Sequence, residues 1–262
     1  ADEIFKNTLK TTSTLLERHA DQLDRLLSIS ITNQRETFVL FDRETGQPLY
    51  NAIVWQCRRG DDFCKQLVSE GNEGIVHEMT GLKIDTYFPA SKLRWLLDAR
   101  PELRAKLKDG SALFGTIDTY LIYRLTGGKV YATDHTNASR TLFYDIDLLD
   151  WNQELSKIFG LEFGELPNVR ESSAWYGDTD LEGYLKRRIP ICGVMGDSQA
   201  ALFAQCCFTP GEAKVTFGTG SSVLLNIGHK KRLSERSAVT ALAWVLQGQP
   251  TYAFEGIINF TG

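Results

Sequence analysis

The chain has 262 residues, 42% hydrophobic and 24% charged, the composition of a globular protein with enough apolar residues to bury a sizeable core. A formal net charge of -4 gives no reason to expect a nucleic-acid partner, and the longest apolar runs, such as residues 189–194, are far too short to span a bilayer. The opening Ala-Asp-Glu-Ile-Phe-Lys lacks the basic-then-apolar layout of a signal peptide, so a cytoplasmic location is expected.

Taken in chain order, Leu15, Leu16, Leu23, Leu26 and Leu27 stand between charged residues at a spacing that fits one face of a helix. Residues 28–31 alternate as a strand. Residues 37–41 and 50–55 read as two more strands joined by the turn formers at 42–48, a hairpin. From Asp61 to about Leu125 the pattern is helical, with Pro101 suited to a first turn and Thr116 placed to cap a helix carrying Ile117, Leu121 and Leu125. Gly127-Gly128 closes that stretch, and residues 189–195 then form an apolar strand before Gly196-Asp197 and a helix over 199–205. The tail, 214–217, 222–227, 238–246 and 251–258, reads as strands separated by glycine-containing turns. This order predicts an α/β fold with a mixed sheet, and a domain change near Thr209-Pro210-Gly211.

Asp197 is the leading chemical candidate, because it stands where a strand ends and a helix opens, the place where open α/β sheets put their ligand crevice. A carboxylate there can take a proton from a substrate hydroxyl, and capping the helix explains the residue equally well. The turn Phe217-Gly218-Thr219-Gly220-Ser221-Ser222 can offer N–H groups and hydroxyls to a phosphate, or serve as a plain hairpin. Arg35 and Glu36 can grip neighbouring hydroxyls or form an exposed ion pair on a loop. Trp55 and Tyr87 fit a ligand wall or the core. The cysteines, five in number, lack zinc-finger or CxxC spacing and are read as reduced thiols; the four histidines are scattered, and no protein-bound metal site is proposed.

The literal text narrows these alternatives. Ile31-Thr32-Asn33-Gln34-Arg35-Glu36-Thr37, Ala52-Ile53-Val54-Trp55-Gln56-Cys57-Arg58-Arg59, Phe114-Gly115-Thr116-Ile117-Asp118-Thr119, Thr136-Asn137-Ala138-Ser139-Arg140-Thr141 and Gly196-Asp197-Ser198-Gln199-Ala200-Ala201-Leu202-Phe203 closely resemble glycerol kinases. The stretch Tyr87-Phe88-Pro89-Ala90-Ser91-Lys92-Leu93-Arg94-Trp95 is similar to a signature of the wider FGGY family of carbohydrate kinases. The resemblance runs over nearly the whole chain. It implies a ribonuclease-H-like, actin/hexokinase-type fold: a substrate-binding domain over residues 1–209, incomplete at its start, and the beginning of a second, ATP-binding lobe over 210–262. It implies ATP-dependent phosphorylation of glycerol to glycerol 3-phosphate with ATP and Mg²⁺, the polyol held by Arg35, Glu36, Trp55, Tyr87 and Asp197, with Asp197 as base and Thr219 and Gly220 facing the phosphates.

The chain also departs from that pattern. The family's first phosphate hairpin, an acidic residue followed by Gly-Thr-Thr, and the adenosine motif of the second lobe are absent, so a piece cut short at both ends is expected, inactive by itself. Ser222 stands where glycerol kinases usually carry an aromatic residue, and Ser198 where Gln is usual; both change the expected substrate wall and leave a four- or five-carbon alditol as an alternative. Residues 181–188 lack the glycine-rich stretch that resembles a sugar-bisphosphate inhibitor site, so that regulation is not expected. A non-catalytic binding module is the reading from another class. Exposed strand edges favour self-association, which makes a homo-oligomer an expected state.

Overall fold

The computed structural model describes residues 1–217, 221–235 and 237–258. It opens with α1 (Asp2–Arg18), a 3-10 turn (Ala20–Arg25), β1 (Ile29–Asn33) and β2 (Phe38–Asp42). Four helices follow, α2 (Asp61–Ser69), α3 (Glu73–Thr80), α4 (Pro89–Ala99) and α5 (Pro101–Asp109), then β3 (Ala112–Thr116) and α6 (Ile117–Leu125). The middle of the chain holds β4 (Ala132–Asp134), α7 (His135–Ala138), β5 (Tyr144–Asp145), β6 (Asp150–Trp151), α8 (Gln153–Ile158), β7 (Asn168–Arg170) and β8 (Asp178–Thr179). Last come β9 (Ile189–Gly196), α9 (Asp197–Ala204), β10 (Ala213–Phe217), β11 (Ser221–Gly228), β12 (Val239–Leu246) and β13 (Gln249–Ile258).

The strand at 189–195, its following helix and the four tail strands fall where the apolar patterning places them. The first sheet is mixed, as expected: β1 pairs with β9 in parallel and β9 with β8 in antiparallel, in the order β1-β9-β8. A separate antiparallel sheet runs β10-β11-β13-β12. One core packs α1 and α6 against β1 and β9 through Phe5, Leu9, Ile31, Tyr120, Ile191 and Val194; a second collects α2, α4, α5, β2 and β3 around Leu67, Leu93, Leu97, Leu107 and Phe114. Gly81, with φ +70°, ends α3 with backbone so close to β12 that a Cβ there would sit 2.3 Å from the Thr240 carbonyl, so the helix end and the second sheet meet directly.

Three local expectations are corrected. Residues 50–55 form no strand: Phe38 bridges Ile53 and Phe41 bridges Pro48, but β2 takes its full ladder from β3, which offers five consecutive buried partners. That strand also interrupts the helical stretch read over 61–125. The helical face read over Leu15 to Leu27 is not one helix: α1 ends at Arg18 and buries Phe5, Leu9 and Ser13, Leu23 falls in the 3-10 turn, Leu26 and Leu27 follow it, and Leu15 and Leu27 are exposed.

Beside α6 two carboxyl groups are buried together. Asp118 Oδ2 accepts from Thr133 Oγ1 at 2.7 Å, its Oδ1 finds no hydrogen-bond partner among the described residues, and burial followed by repulsion from Asp134 pushes its pKa up to about 7. The folded chain therefore holds a proton there that the unfolded chain releases near 3.8, so this contribution to stability is full at acid pH and is lost as pH rises to about 7. Asp118→Asn should flatten that decline; thermal melts from about pH 4 to pH 8 check it, and an unaltered slope contradicts the assignment.

Candidate functional site

The parallel pairing of β1 with β9 sets Asn33 opposite Gly196, so the residues after each strand, Gln34-Arg35-Glu36 and Asp197, leave the same carboxyl edge of the sheet side by side. Arg35 Nε lies 3.4 Å from Asp197 Oδ1, which also accepts from the Ser198 amide at 2.7 Å. Asp197 is the first residue of α9 rather than its cap, a place taken by Gly196, and its side chain is 54% exposed. It is thus an anchored carboxylate that still faces outward.

Beneath it lies a buried quartet of charges. Arg35 Nη2 donates to Glu255 Oε1 at 2.6 Å, Arg140 Nε donates to Glu36 Oε1 at 2.6 Å, and Arg140 Nη1 approaches Glu255 Oε2 at 2.7 Å without the direction of a hydrogen bond. Arg35 Nε stands 3.7 Å from Glu36 Oε1, and Arg35 Nη1 donates to Gln199 Oε1 at 3.2 Å. Burial alone would raise the Glu255 carboxyl, yet Arg140 and Arg35 overcome it and hold it at about 2. Burial pushes Glu36 up, with Arg35 and Arg140 opposing. Glu36 also holds a left-handed φ of 63°, a costly backbone for this side chain that its bond to Arg140 helps to hold. Of the two readings of Arg35 and Glu36, the exposed loop pair does not hold: both are buried.

Secondary contacts fix the two strand ends. Thr136 of α7 accepts from the Gly196 amide at 2.9 Å while its hydroxyl donates to Asp134, and Asn33 and Asn137 exchange amide bonds at 2.9 and 3.2 Å. Trp55 and Tyr87 stand as half-buried neighbours with ring centroids 5.5 Å apart. Burial and then the charge of Glu36 push the Tyr87 phenol up, so this ring lies within the field of the quartet. On the other side, Ser222 of β11 lies 3.4 Å from Ser198 by their hydroxyl oxygens and accepts from Lys214 Nζ at 3.3 Å; the same ammonium donates to Thr216 at 3.0 Å. Lys214 is buried, forms no ion pair among the described residues, and is pushed down by burial and by Arg35.

The structure thus gathers Arg35, Glu36, Asp197, Ser198 and Ser222 around one carboxyl edge, with the Trp55–Tyr87 pair joined to it through the field of Glu36. Thr219 and Gly220 lie outside the described residues. Sequence reasoning missed Glu255, Arg140, Gln199 and Lys214. A carboxylate set in the apolar run Ala253-Phe254-Glu255-Gly256-Ile257 is the signal that could have revealed Glu255, since a buried acid needs a partner. All five cysteines are free thiols. No described helix is long and apolar enough to cross a membrane.

An outward carboxylate over paired charges thus stands outside the carboxyl ends of two parallel strands, where open α/β sheets bind their ligands. Residues 1–204 match the N-terminal domain of the FGGY family of carbohydrate kinases. The chain is 46% identical over 261 residues to glycerol kinase 1 of Thermotoga maritima, covering 100% of this chain and 53% of that one. It superimposes on the glycerol kinase of Plasmodium falciparum, solved with ADP, with a TM-score of 0.87 at 38% identity, over 94% of this chain and 50% of that one. A xylulose kinase of Lactobacillus acidophilus shares the fold, with a TM-score of 0.81 at 18% identity over 97% of this chain and 51% of that one. The chain belongs to the FGGY family of carbohydrate kinases, with their actin/hexokinase-type fold. It spans about half the length of the curated relatives it matches.

Proposed function

We propose that the whole protein, of the length its relatives have, transfers the γ-phosphoryl group of ATP to a primary hydroxyl of glycerol, giving glycerol 3-phosphate. The observation that carries this reading is Asp197: half exposed, anchored at one oxygen by Arg35 and the Ser198 amide, and placed where two parallel strands end. As base it accepts the proton of the attacking hydroxyl, while positioning lowers most of the barrier. Arg35 and Glu36 form the polar floor that orients the remaining hydroxyls, and Trp55 and Tyr87 cover the carbon chain. Residues 1–209 form the substrate domain and 210–262 begin the nucleotide lobe, whose Thr219 and Gly220 face the phosphates. Magnesium enters with ATP, since this ion is usually held by substrate phosphates and one or two carboxylates, and it neutralises charge on the transferring group. The enzyme works in the cytoplasm, alone or as a homo-oligomer.

A second reading, favoured by the Ser198, Ser222 and Lys214 cluster, is that the substrate is a four- or five-carbon alditol whose additional hydroxyl meets these groups. Steady-state phosphorylation of glycerol, erythritol and xylitol by the whole protein separates the two. Glycerol should show the highest kcat/KM; a longer alditol in first place supports the second reading. On that reading Ser222→Phe should shift preference toward glycerol by roughly tenfold, because an aromatic wall replaces a hydroxyl.

A further inference from the structure

Lys92 stands in the first turn of α4, fully buried between Ser91 and Leu93. Lysine rarely occupies such a place without an ionic partner, and Lys92 forms no ion pair among the described residues. Its side chain leans back along the helix, as helical side chains do, and donates to three backbone carbonyls: Tyr87 at 3.0 Å, Val54 at 3.3 Å and Trp55 at 3.4 Å. Three N–H groups thus meet three acceptors.

The two segments so joined carry the two rings of the candidate site. The stretch around Trp55 belongs to no helix or strand beyond the bridge of Ile53 to Phe38, so its position depends on what it docks against. It docks along α4: the Arg59 guanidinium lies 4.2 Å over the Trp95 ring, and a Cβ on Gly60 would come within 2.6 Å of Ser91 Oγ. Among the described residues of that seam, Lys92 alone has a side chain that bonds the backbone of both ring-bearing residues, whose centroids are 5.5 Å apart.

We propose that Lys92 is a positioning residue: by bonding the Trp55 and Tyr87 backbones it sets the spacing of the two aromatic walls and so the affinity for the polyol. This rests on the reading that those rings line the substrate site. Proton loss would leave two donors for three carbonyls and slacken one wall. Burial pushes the ammonium down to about 8, against the opposing influence of Glu36, Cys57, Asp85 and Cys64, the titratable groups that face it from the surrounding segments. Between about 8 and 10.5 the unfolded chain holds more protons than the folded one, so overall stability through Lys92 rises with pH in that window. Weaker substrate binding there is therefore a local loosening and not unfolding.

The test uses the whole protein with Lys92→Met and Lys92→Gln. It reads KM and kcat for the polyol together with acrylamide quenching of Trp55, taken as the difference from a Trp55→Phe counterpart. The expected result is KM raised about tenfold or more with kcat changed less than about threefold, and a more accessible Trp55. Folded variants with unchanged KM and unchanged quenching overturn the proposal. Should the Met variant not fold, the Gln variant, which keeps two N–H donors, carries the same comparison. The unsubstituted protein gives a further check: Trp55 quenching should rise as pH passes about 8 while the melting temperature does not fall, and flat quenching counts against Lys92. A protein that phosphorylates no polyol removes the functional reading while the quenching still decides whether Lys92 holds the wall.

Discussion

Asp197→Asn should lower kcat of the whole protein by about 10²- to 10⁴-fold, with the KM for polyol changed less than about threefold. The amide keeps the size of the carboxylate and can still accept from the Ser198 amide, which bonds Oδ1 at 2.7 Å. It cannot take the proton of an attacking hydroxyl. Arg35 loses a contact of 3.4 Å but keeps its bonds to Glu255 and Gln199, so the floor beneath the substrate persists. A loss confined to kcat would mark an interaction made in the transition state. Retained turnover with lowered melting temperature would instead mark Asp197 as a structural residue at the start of α9.

The largest effect on stability is expected at Glu255. Its two oxygens meet Arg35 at 2.6 Å and Arg140 at 2.7 Å, and all four members of the quartet are buried. Glu255→Gln leaves two buried guanidinium groups with Glu36 as their one buried counter-charge among the described residues, Asp197 lying half exposed at 3.4 Å from Arg35. Removing one partner from a buried ionic cluster typically costs about 3–5 kcal/mol, here a fall in melting temperature of roughly 10 °C. The cost includes a structural term, because Glu255 lies on β13 while Arg35 follows β1 and Arg140 follows α7, so the quartet ties the second sheet to the first. The pH dependence is opposite in sign to that of Asp118. With Glu255 held at about 2 against 4.5 unfolded, its contribution is full above 4.5 and is lost as pH falls toward 2. Melts of both proteins between about pH 2 and pH 6 should show a shallower acid decline in the variant; an equal decline and an unchanged melting temperature would contradict a stabilising quartet.

What could be read from the residues depended on how local the cause was. The strand before Asp197 was legible because seven apolar or small residues run directly into Gly196-Asp197, and a turn there leaves the carboxylate at a sheet edge. β3 was hidden within a helical reading because Ala-Leu-Phe-Gly-Thr is buried on both faces, and a short continuous apolar run has neither helical nor strand periodicity. The strand expected at 50–55 has the apolar residues of a strand but lacks a ladder, since β2 finds its partner in β3. In the site, Arg35 and Asp197 were visible as chemistry at the ends of strands. Glu255 was not, because its partner Arg35 is 220 positions away and only the folded chain brings the two to one place. Arg140 and Lys92 lay inside recognised motifs, yet nothing in those strings shows a guanidinium beneath Glu36 or an ammonium under two carbonyls.

The most direct measurement is phosphorus-31 NMR of the whole protein incubated with magnesium, ATP and glycerol. The expected result is a phosphomonoester signal that grows as the γ-phosphate of ATP disappears, and no such signal in the Asp197→Asn protein over the same time. Release of inorganic phosphate without phosphomonoester, with glycerol or with any longer alditol, would contradict it.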